Sequence, residues 1–163
     1  MKTIILFIAL FAIPFFSFSQ THSKQEIMDW ICGKLIKYGQ FSCAPRFEIT
    51  SIRQDKNLLI VSSKSFTNPN QHNVANINLN NLSGFNIDFN YDHYNCFSLE
   101  GNKLTSVKSW DYNGEETNMV WLSYSFADFN WNMEENLQER MKKALNDLVS
   151  ILRKERQGNT EPY

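Results

Sequence analysis

The residues best equipped for chemistry cluster at Asp92-His93-Tyr94-Asn95-Cys96. A histidine close to a cysteine suggests a thiolate–imidazole nucleophile. That arrangement needs the two side chains within hydrogen-bond reach and a cation or helix N-terminus to lower the thiol pKa. Three steps along a strand put His93 and Cys96 on opposite faces, and the sequence marks no helix start beside them. A metal set drawn from His72, Asp88, Asp92 and His93 fails on distance. On a shared strand face Asp88 and Asp92 stand roughly 13 Å apart, at a rise of about 3.3 Å per residue. Phosphate loops, dinucleotide fingerprints, zinc-protease helices, serine nucleophile elbows and calcium loops have no match in the sequence. The sequence therefore assigns no catalytic residue, no metal ligand and no cofactor. An enzyme with an unrecognised site remains as a further reading, in which His93, an aspartate and Cys96 converge in a cleft.

The second candidate is a binding surface. Asn113-Gly114 between two apolar-patterned runs predicts a two-residue hairpin loop of type I′. That register sets Tyr112 against Glu115, Trp110 against Thr117, Lys108 against Met119 and Ser106 against Trp121. Lys108, Trp110, Tyr112 and Trp121 then share one face. Flat rings with polar edges suit a sugar, a peptide or another small molecule, and the lysine can stack on either indole. The opposite face, with Val107 against Val120, Thr105 against Leu122, and Tyr124 and Phe126 beyond, reads as core. The competing reading has the N-terminal helix cover the aromatic face through Trp30.

These residues need elements to hold them. Ser23 with Glu26 three positions later forms a capping-box pattern, and Gly39 follows as a stop, which predicts a helix over 23–38. Ile27, Trp30, Ile31, Leu35 and Tyr38 lie on one face of it. From Phe47 onward the period changes to two. Strands are predicted around Phe47 and Ile49, at 58–61, 74–79, 85–91, 96–99, 104–112 and 119–126, with Gly- and Asn-rich turns between them. Connections this short leave no room for crossover helices, so the sheet is antiparallel. A last helix, capped by Asn132 with Glu135 three residues on, carries Leu137, Met141, Leu145, Leu148 and Leu152 on one face. The result is one α+β domain over 20–156, with a polar tail, read as disordered, over 157–163.

Residues 1–19 are patterned differently. A lysine precedes thirteen apolar residues from Ile4 to Phe16, and small residues follow at Ser17 and Ser19. That is the layout of a cleaved signal peptide, with cleavage expected before Gln20 and the domain released to the periplasm or medium. The apolar run falls short of the roughly 20 residues that span a bilayer, so stable membrane insertion is not expected. A net charge of −1 argues against nucleic acid as a partner. Export permits oxidation of the three cysteines Cys32, Cys43 and Cys96. Cys32 with Cys43 is the shortest-range pairing, Cys96 can pair with either, and all three can remain thiols.

About seven short antiparallel strands followed by one long helix resemble the pleckstrin-homology-like superfold, in which the last helix caps a strongly bent sheet. The resemblance covers residues 46–156 and rests on element order. The helix over 23–38 is additional, the last helix lacks the tryptophan that members carry there, and Asp55 offsets Arg53 and Lys56 where a phosphoinositide-binding loop would be basic. The N-terminal segment also resembles those of small exported proteins of Bacteroidota. A helix-grip fold, with a cavity for an apolar ligand beneath the last helix, is the alternative architecture. A lipocalin-like closed barrel is disfavoured, because two helices already account for much of the apolar surface. The expected role is a non-enzymatic binding or interaction module for a protein, peptide or small molecule, or alternatively a carrier of a small apolar ligand.

Overall fold

A computed structural model describes residues 22–42, 47–68, 70–91, 94–111 and 113–158, with the backbone alone at 88–91 and 94. Helix α1 (Lys24–Tyr38) starts at the capping box read from the sequence. Glu26 N donates to Ser23 Oγ, and Ser23 N donates to Glu26 Oε2 at 2.7 Å. Seven strands follow: β1 (Phe41–Ser42), β2 (Phe47–Asp55), β3 (Leu58–Ser65), β4 (His72–Asn78), β5 (Leu82–Tyr91), β6 (Tyr94–Trp110) and β7 (Glu116–Ala127). Helix α2 (Leu137–Gly158) ends the described chain. Over the described residues the protein is α+β, with a seven-stranded antiparallel sheet and two α-helices.

The sheet bends until its strands meet across a second seam. Its order is β4-β3-β2-β1-β7-β6-β5, and β4 also pairs with β6. Six strands therefore close into a barrel, and β5 is an extra strand on β6. Closure depends on β6 being a single 17-residue strand where the sequence suggests two. Its first half pairs with β5, up to Gly101 opposite Leu82. Its second half pairs with β4, with Ala75 opposite Val107 and Ile77 opposite Thr105. Between the pairs Glu100–Ser123 and Thr105–Trp121, β6 carries four residues where β7 carries Leu122 alone. Gly101-Asn102 is thus a bulge inside a strand, bent by Lys103 at φ 52°.

The helices and the barrel share one core. Ile31, Leu35, Leu59, Val61, Ile77, Phe97, Leu99, Phe126, Met141, Leu145 and Leu148 form one continuous cluster. Closure and helix packing are compatible because the same inward faces serve both. α1 lies along β2, tied by Gln54 Nε2 donating to Asp29 Oδ1 at 2.6 Å. α2 runs antiparallel to α1 and lies against β5, where Arg156 Nη2 donates to the Leu82 carbonyl at 2.6 Å. That bond holds α2 helical through Gly158, so residues 157 and 158, expected in the tail, belong to the helix.

The start of α2 also differs from the expectation at Asn132. Residues Trp131–Met133 form a 3-10 turn capped by Asn130, and Glu134 is extended. Glu134 is drawn to α1 instead of into a first helical turn. Its carboxylate accepts from Lys34 Nζ at 2.7 Å and Tyr38 Oη at 2.6 Å, with Lys37 and Arg140 both at 3.4 Å. The Lys34 and Tyr38 bonds chiefly hold its carboxyl at about 2, well below the usual carboxylate range. A depressed pKa contributes stability that is present above the unfolded value, near 4.5, and is lost as pH falls toward about 2. Glu134→Gln is expected to be less stable than wild type near neutral pH, and to lose less stability between those two pH values. Thermal melts of both proteins across that window check this; parallel acid curves would remove Glu134 as the clamp.

Candidate functional site

The geometry of the hairpin between β6 and β7 decides which side chains can meet. Gly114 N donates to the Asp111 carbonyl and Asp111 N to the Glu115 carbonyl, both at 3.1 Å. Asp111 Oδ1 also accepts from Asn113 N at 2.8 Å and Glu115 N at 2.9 Å. Gly114 sits at φ 81°. The loop therefore holds three residues and ends on a left-handed glycine, which adds a bulge to the two-residue turn that Asn-Gly suggested. A register displaced by one residue exchanges the faces of one strand relative to the other.

The observed pairs are Trp110–Glu116, Lys108–Asn118, Val107–Met119, Ser106–Val120 and Thr105–Trp121. Trp110 and Lys108 are thus on the outer face, and Trp121 is on the inner face with Val107 and Thr105. The proposed aromatic face is not assembled. Trp110 stacks on His72 across the β4–β6 seam, with centroids 4.4 Å apart. Lys108 Nζ bonds Glu116 Oε1 at 3.1 Å. Trp121 packs against the core, and Tyr112 lies outside the described residues. Of the expected core pairs, Val107, Thr105, Tyr124 and Phe126 are buried, but Val120 and Leu122 are 63% and 67% exposed.

That exposure defines the most unusual surface of the molecule. β1 spans two residues and reaches only Phe126 and Ala127 of β7. Among the described residues, β7 therefore has β6 as its one strand neighbour over 116–125. Residues on both of its faces are open along 116–120, and again at Leu122 and Ser123. The stretch 117–125, Thr-Asn-Met-Val-Trp-Leu-Ser-Tyr-Ser, contains no charge, glycine or proline. Sheet edges are ordinarily blunted by charge, proline or cover. Here the apolar side chains Met119, Val120 and Leu122 stand on the unpaired edge itself.

A second concave surface lies between α1 and α2, a cleft of ≈ 420 Å³ over Trp30, Ile27 and Ala144. Arg140 lies over the Trp30 ring at 5.3 Å and Lys34 at 5.4 Å. Its polar side chains have partners: Lys143 with Asp147 at 2.8 Å, His22 with Glu26 at 3.9 Å, and Arg140 with Glu134 outside the cleft at 3.4 Å. Beneath α2, where the helix-grip alternative places a cavity, Leu137, Met141, Leu145, Leu148 and Leu152 are buried in the common core.

The polar candidates separate. Cys96 is disulfide-bonded and so holds no thiolate for attack. Cys32 is a free thiol, so of the pairings the sequence left open, those of Cys32, with Cys43 or with Cys96, are not made. The apolar face of α1 takes Cys32 into the core, and burial, with Asp29 nearby, pushes its pKa up to about 12. Cys43, Asp92 and His93 lie outside the described residues, as does the Asp88 side chain. Among the described residues no three His, Cys, Asp or Glu side chains converge as metal ligands. None of the described helices is long and apolar enough to cross a membrane. Compared with known proteins, the chain matches no family model, no curated protein and no solved structure.

Proposed function

We propose that this is an exported, non-enzymatic interaction module that receives its partner by strand addition along β7. One observation carries the reading: exposed Val120 and Leu122 on an uncharged stretch, 117–125, that among the described residues has one strand neighbour. Backbone groups on such an edge supply affinity, and alternate side chains supply selectivity. The export assignment rests on the composition of residues 1–19. Seven antiparallel strands followed by a long C-terminal helix support a pleckstrin-homology-like roll as the parent architecture. The burial of α2 against a curved sheet supports the helix-grip alternative.

The test is capture from the exported fraction with wild-type protein and with Leu122→Lys, which places a charge on the edge at an already exposed position. The variant is expected to keep its fold and lose partner affinity by about tenfold or more, equivalent to roughly 1.4 kcal/mol. Equal capture by both proteins would remove β7 as the site. The cleft over Trp30 favours a second reading, a carrier of a small ligand held between the helices.

A further inference from the structure

We infer that the occupant of the β7 edge is a second copy of this chain, added antiparallel so that the two β7 strands form the centre of a two-fold dimer. The inference rests on the strand-addition reading above and names its partner.

Charge is the first argument. Residues 117–125 carry none, so a copy laid antiparallel on this stretch meets no like charge. A net charge of −1 for the whole chain adds little long-range repulsion between copies. Edge availability is the second. Among the described residues β5 also has a single strand neighbour, β6, but α2 lies against it and Arg156 binds the Leu82 carbonyl. α1 lies along β2 in the same way, through Asp29 and Gln54. β7 is the edge whose side chains remain open on both faces. Pairing β7 with its own copy uses that edge in both molecules, so the assembly closes at two and does not propagate.

Side-chain pattern fixes the register. With Trp121 on the two-fold axis, Val120 of one copy stands opposite Leu122 of the other, and the reverse pair repeats it. The two most exposed apolar side chains of the strand, at 63% and 67%, are then each placed against an apolar neighbour. Directly opposed antiparallel residues have Cβ atoms about 4.5–5.5 Å apart, close enough for these side chains to pack. Displacing the register so that Val120 faces itself would put each Leu122 opposite Asn118 and lose both apolar pairs.

Light scattering of the full exported chain across a dilution series is expected to give twice the monomer mass, falling to the monomer on dilution. Leu122→Lys is expected to give the monomer mass throughout, with unchanged circular dichroism and the melting temperature that the wild type shows at dilutions where it is monomeric. The register is read by oxidising Val120→Cys protein mixed with Leu122→Cys protein. The mixture should yield a crosslinked dimer, and neither variant alone should do so. A wild-type monomer at every concentration overturns the inference, as does a Leu122→Lys protein that stays dimeric. If the wild type is monomeric but Leu122→Lys still loses a partner from the exported fraction, the dimer fails and strand addition to another protein stands. If neither association nor capture responds to Leu122→Lys, both readings fail.

Discussion

Phe97→Ala is expected to destabilise the protein by about 3–5 kcal/mol, the range for deleting a fully buried aromatic side chain. Phe97 is fully buried on the first half of β6. It stacks on Phe126 of β7 at 5.9 Å and meets Phe129 at 5.9 Å and Trp131 at 5.8 Å edge-on. Tyr38 of α1 in turn meets Phe129 at 6.1 Å. These rings join three things that the chain order keeps apart: the barrel wall, the turn leading into α2, and the end of α1. Truncation leaves a cavity that is walled by other aromatics, each held by its own element, so collapse around it is limited. Domains of this size are stable by only about 5–15 kcal/mol, so one change removes a large share. Urea denaturation followed by tryptophan fluorescence measures the loss. Ile36→Ala, at an exposed position of α1 away from β7, is the control and is expected to stay within about 0.5 kcal/mol of wild type. A Phe97→Ala protein as stable as that control would show that the aromatic cluster does not hold the two layers together.

The helices were legible because their signals are local. The Ser23–Glu26 pair and the leucine face of α2 are complete within a few turns of chain. Barrel closure was not legible, because it joins residues 72–77 to residues 105–110, and no short-range pattern records such a pairing. The bend of β6 is hidden for a related reason. Gly101-Asn102 has the composition of a turn, yet the chain continues past it as a strand, and the fully buried Leu104 anchors the bulge. At the β6–β7 hairpin the missed signal was present. Asp111 stands three residues before Gly114, and its carboxylate accepts from the amides of Asn113 and Glu115. Aspartate at the first position and glycine at the fourth favour a three-residue loop ending in a left-handed residue. Reading Asn113-Gly114 without Asp111 displaced the register by one. That single residue placed Val120 and Leu122 in the core and grouped Trp110 with Trp121. The candidate surface was therefore hidden by one turn residue, although every side chain that forms it was visible in the sequence.

Gly101→Ala and Gly33→Ala are expected to shift stability in opposite directions. In α1, Gly33 is exposed and a Cβ there would meet open space. Replacing a helix-interior glycine by alanine reduces the freedom of the unfolded chain and should stabilise by about 0.5–1 kcal/mol. Gly101 has an ordinary negative φ, so its requirement is for room and not for backbone freedom. A Cβ there would run into the main-chain carbonyl of Asn81. Asn81 cannot retreat cheaply, because its Nδ2 bonds the Lys103 carbonyl at 3.0 Å across the same bend, and Leu82 next to it pairs with Gly101. Relief requires β5 and β6 to separate where β6 changes partners, at a cost of about 1–3 kcal/mol, typical of overpacking. Leu122 lies opposite this bend, so a shift there also re-aims the proposed edge. Gly101→Ala should therefore weaken self-association as well as lower the melting temperature, whereas Gly33→Ala should raise the melting temperature and leave association unchanged. Both effects can be read from melts and dilution series on the same two proteins. If Gly101→Ala were as stable as wild type, the close approach at Asn81 would not be what sets the bend of β6.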